Sequence, residues 1–121
     1  MKNVRLFIAM DFSSQIILEV TIFQNKLRSD LSNIPIRWVA PETMHLTLQF
    51  LGEVPQNQIP AIQKAISTST AGFSAVPVHI GSIGSFPSFK KPQVLWLGLS
   101  SNQTLKKIAT QLQAALQPLG F

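Results

Sequence analysis

The sequence predicts an α+β domain in which helices pack on a mixed or antiparallel sheet. Three observations lead there. Segments with a helical hydrophobic period alternate with short strand-like apolar runs, in the order β-α-β-β-α-β-β-α. Neighbouring strand-like runs are close enough to pair as hairpins. The 121 residues, 45% of them hydrophobic, suit one domain with a sizeable core. No repeat and no linker divides the chain.

Residues 4–10, VRLFIAM, are apolar on both faces and predict a buried strand. Asp11 to Ser14 then supply helix caps. In the segment that follows, Ile16, Val20, Phe23 and Leu27 fall on one helical face. SDLSNIP reads as a loop and IRWV, residues 36–39, as a short strand ending at Ala40-Pro41. MHLTLQFL follows as a strand that stops at Gly52. A second helix starts near Asn57, with Pro60 tolerated in its first turn and Ile59, Ile62 and Ile66 along one side. Residues 73–80, FSAVPVHI, are strand-like, with Pro77 marking an edge or a bulge. GSIGSFPSFKKP reads as a loop and QVLWLGL, residues 93–99, as a buried strand. The last helix runs from about 102 to 117, with Leu105, Ile108, Leu112, Ala115 and Leu116 at helical spacing and Gly120 as its cap.

Composition narrows the function classes. The absence of cysteine excludes disulfides and cysteine zinc sites, and fits a reducing cytoplasm. No run approaches the ~20 apolar residues of a membrane span, and the N-terminus lacks a cleavage site for a signal peptide. The net charge of +5 fits either a mildly basic surface or attraction of an anionic ligand such as RNA or a nucleotide. Two separated histidines and five scattered acids give no usual metal-ligand spacing, and GSIGS lacks the Lys-Ser/Thr tail of a phosphate-binding loop. No metal or cofactor is therefore expected.

Side chains alternate along a strand, so Met44, Leu46, Leu48 and Phe50 are expected on one face and His45, Thr47 and Gln49 on the other. Next-but-one residues lie about 6.5–7 Å apart. An imidazole and a hydroxyl at that separation both reach a phosphate group set above them. Histidine exchanges a proton near neutral pH, and the threonine hydroxyl donates to a non-bridging oxygen as charge builds there. The competing explanation is a half-exposed histidine beside a threonine that simply suits a strand.

The surrounding segments RLFIAMDF, RWVAPETMHLTLQFLGEV and IGSFPSFKKPQVLWLGL resemble, in order, the two-histidine phosphoesterases. Within that superfamily they are most similar to the RNA 2′,3′-cyclic phosphodiesterases, also called 2′-5′ RNA ligases. The resemblance implies a bilobal fold in which each lobe places one His-x-Thr-x motif on a strand facing a central cleft. His45-Leu46-Thr47-Leu48 is the first motif. It implies His45 as proton donor, Thr47 as phosphate contact, a second histidine as base, and RNA or a nucleotide with a 2′,3′-cyclic phosphate end as substrate. The second motif is expected beyond QPLGF, so the chain is expected to be the front portion of a longer protein and inactive alone. His79 has Gly81 where a motif threonine belongs and is not assigned as the second histidine.

Arg5, Arg37, Lys90 and Lys91 are candidates for guiding RNA phosphates, against plain surface charge. Phe86 and Trp38 are candidates for stacking on bases; core packing is the favoured reading for Trp38 and Trp96, and less so for Phe86 and Phe89. A monomer is expected. The alternative function is a non-catalytic RNA- or nucleotide-binding module on the same fold.

Overall fold

The computed structural model describes residues 2–88, 90, 93–100 and 102–121. Phe89 and Lys91, named above as candidates, lie outside them. The chain divides into two compact units, Met1–Val54 and Pro55–Phe121.

In the first unit β1 (Asn3–Asp11) pairs with β2 (His45–Pro55), and α1 (Ser14–Asp30) lies between them in sequence. Ser13 caps α1, its hydroxyl accepting from the Ile16 amide at 3.3 Å. Val20 and Gln24 are its buried residues. Ile16, Phe23 and Leu27 are half-buried, so the apolar face expected of this helix is the inner one. Ile8, Val20 and Val54 are buried apolar residues of this unit.

Three expectations need correction here. β1 is not buried on both faces: Val4, Leu6, Ile8 and Met10 turn inward while Arg5, Phe7, Ala9 and Asp11 are exposed. IRWV is not a strand. Prolines at 35 and 41 bracket it, and the Val39 carbonyl is taken by a side chain, the Gln24 amide at 2.7 Å. That bond also explains how a glutamine is tolerated inside. Finally, β2 continues past Gly52 to Pro55, because Gly52 adopts a left-handed φ of 75° that lets the chain bend without ending the strand.

In the second unit α2 (Ile59–Thr70) packs against α3 (Gln103–Leu116), and Ile62, Ile108, Leu112 and Leu116 are buried. Pro60 sits in the first turn of α2, as expected. Asn102 caps α3 by accepting from the Leu105 amide at 3.1 Å, and its own amide donates to the Pro77 carbonyl at 2.7 Å. Gly120 closes the C-terminal turn at φ 95°.

The hairpin of this unit departs from the expected boundaries. β3 (Ile80–Phe86) pairs antiparallel with β4 (Val94–Leu99). The strand expected at 73–80 is thus displaced into the segment expected to be a loop. Pro77 has no amide to give a ladder, and its carbonyl is engaged by Asn102. The glycines that suggested a loop have another use. Gly84 lies opposite Trp96, and any β-carbon there would collide with the indole. Trp96 therefore covers a glycine on the hairpin surface and is 38% exposed, not a core residue.

Candidate active site

His45 is the first residue of β2 and follows a single 3-10 turn, Pro41–Thr43. That turn is closed by the Thr43 amide on the Ala40 carbonyl at 3.0 Å and the Met44 amide on the Pro41 carbonyl at 3.1 Å. The Thr43 hydroxyl adds a bond to the Ala40 carbonyl at 2.7 Å. The turn fixes the direction of the Thr43 carbonyl, and His45 Nδ1 lies 3.2 Å from that oxygen. A carbonyl only accepts, so this hydrogen bond requires the proton on Nδ1. Nε2 is then left as the atom that gains or gives up a proton, which is the condition for general acid or base work.

The ring is exposed and not buried among aliphatic groups. The Phe7 ring of β1 lies against it, with centroids 5.3 Å apart and planes at 21°. Phe7 is also 6.1 Å from Phe50, which is 77% exposed. One ring within reach of both means that Phe50 leans to the side of His45. It does not join Leu46 and Leu48 on the packed face, so the two-residue alternation expected along this strand breaks between 45 and 50.

Thr47 stands two residues along the strand from His45 and is half-buried. Among the described residues no hydrogen bond engages its hydroxyl.

Arg5 is exposed on β1, with its guanidinium 3.7 Å from the Glu53 carboxylate. Arg37 is exposed in the irregular segment before the 3-10 turn. Trp38, next to it, is half-buried, with the Arg28 guanidinium 5.5 Å from its ring centre. Phe86 belongs to the second unit, at the end of β3, where its ring meets that of Trp96 at 6.0 Å. His79 precedes β3; its carbonyl accepts from the Ser100 amide at 2.8 Å and its side chain is exposed.

Sequence reasoning missed two members of the site. Phe7 was hidden in a run that looked apolar on both faces. The Thr43 carbonyl is backbone, and only the turn geometry shows its direction. The APET segment before the strand, with proline opening a tight turn, was the available signal.

Among the described residues no group of three His, Asp or Glu side chains gathers where a metal ion could sit, and no helix is long and apolar enough to cross a membrane.

A family model described as LigT-like phosphoesterase matches residues 11–96. A protein of Archaeoglobus fulgidus named RNA 2′,3′-cyclic phosphodiesterase is 31% identical over 118 residues, which cover 97% of this chain and 64% of its own length. A Thermotoga maritima protein of the same name is 32% identical over 117 residues, covering 97% and 62%. The crystal structure of a Thermus thermophilus protein matches with a TM-score of 0.78 at 26% identity, over 97% of this chain and 62% of that one. The chain thus spans slightly less than two thirds of the length of these relatives.

Proposed function

The chain belongs to the LigT-like phosphoesterase family, and from that membership we propose that it carries the proton-donor motif of an RNA 2′,3′-cyclic phosphodiesterase. The substrate is an RNA or nucleotide ending in a ribose 2′,3′-cyclic phosphate, and the product ends in a 2′-phosphate. The observation that carries the reading is the exposed His45 ring, whose Nδ1 is held by the Thr43 carbonyl while Nε2 stays available.

In the reaction, water attacks phosphorus and the bond to the 3′ oxygen breaks. His45, as imidazolium, gives its Nε2 proton to that departing oxygen. Thr47 donates a hydrogen bond to a non-bridging oxygen as negative charge builds there. The Thr43 carbonyl keeps Nδ1 protonated throughout, so the proton moved is always the one on Nε2.

A base must take the proton from water. The other histidine among the 121 residues is His79, followed two positions on by a glycine that has no hydroxyl to offer. We therefore assign the base to a second His-x-Thr motif of the whole protein, and regard residues 1–121 alone as catalytically incomplete. With an RNA 5′-hydroxyl in place of water as the nucleophile, the same ring opening breaks the bond to the 3′ oxygen and forms a 2′-5′ phosphodiester bond.

Arg5 and Arg37 are proposed to contact RNA phosphates. The Arg5 ion pair with Glu53 is no obstacle: a surface pair of this kind is worth about 0–1 kcal/mol, so a phosphate competes for the guanidinium at little cost. The +5 net charge fits an RNA-directed protein and the lack of cysteine fits the cytoplasm.

The test is to incubate the whole protein with an oligoribonucleotide bearing a 2′,3′-cyclic phosphate, in the presence of a chelator, and to identify the end group. A 2′-phosphate is expected. A 3′-phosphate, or no product, contradicts the reading, and tight RNA binding with no product supports a binding module instead. The isolated 121-residue chain is expected to show no turnover, and robust turnover by pure chain contradicts the assignment of the base.

A further inference from the structure

The charge of the chain is divided unequally between its units. Residues 1–54 contain all five acids, Asp11, Glu19, Asp30, Glu42 and Glu53, and five bases that balance them. Residues 55–121 contain Lys64, Lys90, Lys91, Lys106 and Lys107 and no acid. The whole +5 net charge therefore belongs to the second unit. An acid-free surface attracts polyanions over a Debye length, which is about 8–10 Å at physiological salt.

The same unit displays aromatic surface on its hairpin. Trp96 is 38% exposed and Phe86 is 62% exposed. Their rings lie 6.0 Å apart with planes at 41°. Gly84 lies beneath the indole and leaves it no freedom on that side. One face of Trp96 thus lies against the backbone, and the ring stays partly exposed. Val94, on the partner strand opposite Phe86, is 55% exposed, and Lys90 is exposed in the connection between the strands.

Part of this has a purely structural explanation, since an aromatic ring laid over a cross-strand glycine shields the ladder. That explanation needs Trp96 alone. It does not call for a second exposed ring beside it, or for a unit without a single acid. We infer that the β3-β4 hairpin is a single-stranded RNA platform: unpaired bases stack on Trp96 and Phe86 while phosphates lie toward Lys90. A ring already held in place loses little freedom on binding, which favours stacking. Stacking on aromatic side chains tolerates any base, so the platform reads strandedness and not sequence. The choice of RNA as polyanion rests on the function proposed above.

The test uses the whole protein and a labelled single-stranded oligoribonucleotide of about ten nucleotides with a plain 3′-hydroxyl, so that binding is measured apart from turnover. Trp96→Leu and Phe86→Leu are each expected to weaken binding at least fivefold, and Trp96→Phe, which keeps a ring over Gly84, to stay within about twofold of the parent. Far-ultraviolet circular dichroism checks that the variants are folded, and Phe86→Leu removes nothing that covers Gly84. In a Trp38→Phe background, the fluorescence of Trp96 is expected to fall on saturation with RNA. Equal affinity of the parent and both leucine variants would overturn the inference, as would equally tight binding of a duplex of the same length, since paired bases offer no free faces. These readouts are separate from catalysis: RNA-dependent quenching without 2′-phosphate product sinks the enzymatic reading and leaves the platform, while product formation with silent hairpin variants does the reverse.

Discussion

At the scale of single residues, His45 is defined by what holds it. The Thr43 carbonyl fixes one nitrogen and the Phe7 ring lies along the imidazole plane. An aromatic pair is worth about 0.5–1.5 kcal/mol beyond its buried area, so loss of the stack should cost about two- to tenfold in kcat. Phe7→Leu is expected to lower kcat with KM nearly unchanged, and Phe7→Tyr to restore it. A change confined to KM would mean that Phe7 touches substrate and does not position the histidine. The His-x-Thr spacing was legible in the sequence because it is read directly from the residue order. The partners of the histidine were not. Phe7 sat in a run whose apolar residues hid its outward face, and a backbone carbonyl leaves no mark in the residue order.

At the scale of elements, buried polar groups and glycines do more than the hydrophobic pattern reveals. Gln24 is buried on α1 and satisfies the Val39 carbonyl, tying the helix to the irregular segment that leads toward β2. Gln24→Leu leaves that carbonyl without its partner and is expected to destabilise the protein by about 1–3 kcal/mol, read as a lower denaturant midpoint. An unchanged midpoint would mean that water replaces the amide. Gly84→Val drives a branched side chain into the Trp96 indole and is expected to cost about 1–3 kcal/mol by overpacking, with a lower Tm. A parental Tm would contradict the close seating of the ring. These features also account for the displaced elements. Helix faces were read correctly because their period is set by local geometry. The strands at 36–39 and 73–80 were misread because prolines and side-chain bonds to Val39 and Pro77 claim the backbone that a ladder would need. β3 was read as a loop because Gly81 and Gly84 look like breakers until Ser100 is found close beside the first and Trp96 across from the second.

At the scale of the whole molecule, the two units differ in what they carry. The first contains His45 and Thr47, and the second carries the entire net charge. The chain belongs to the LigT-like phosphoesterase family, and the proposed reaction needs a second proton-transfer group. A positioned acid contributes about 10²–10⁴-fold to rate, so everything converges on one imidazole. The most direct measurement is the rate of opening of a 2′,3′-cyclic phosphate RNA end by the whole protein and by its His45→Ala variant, with His79→Ala as the internal control. The account predicts a loss of about 10²–10⁴-fold for His45→Ala in a folded protein, with His79→Ala at the parental rate. A His45→Ala rate within threefold of the parent would contradict it.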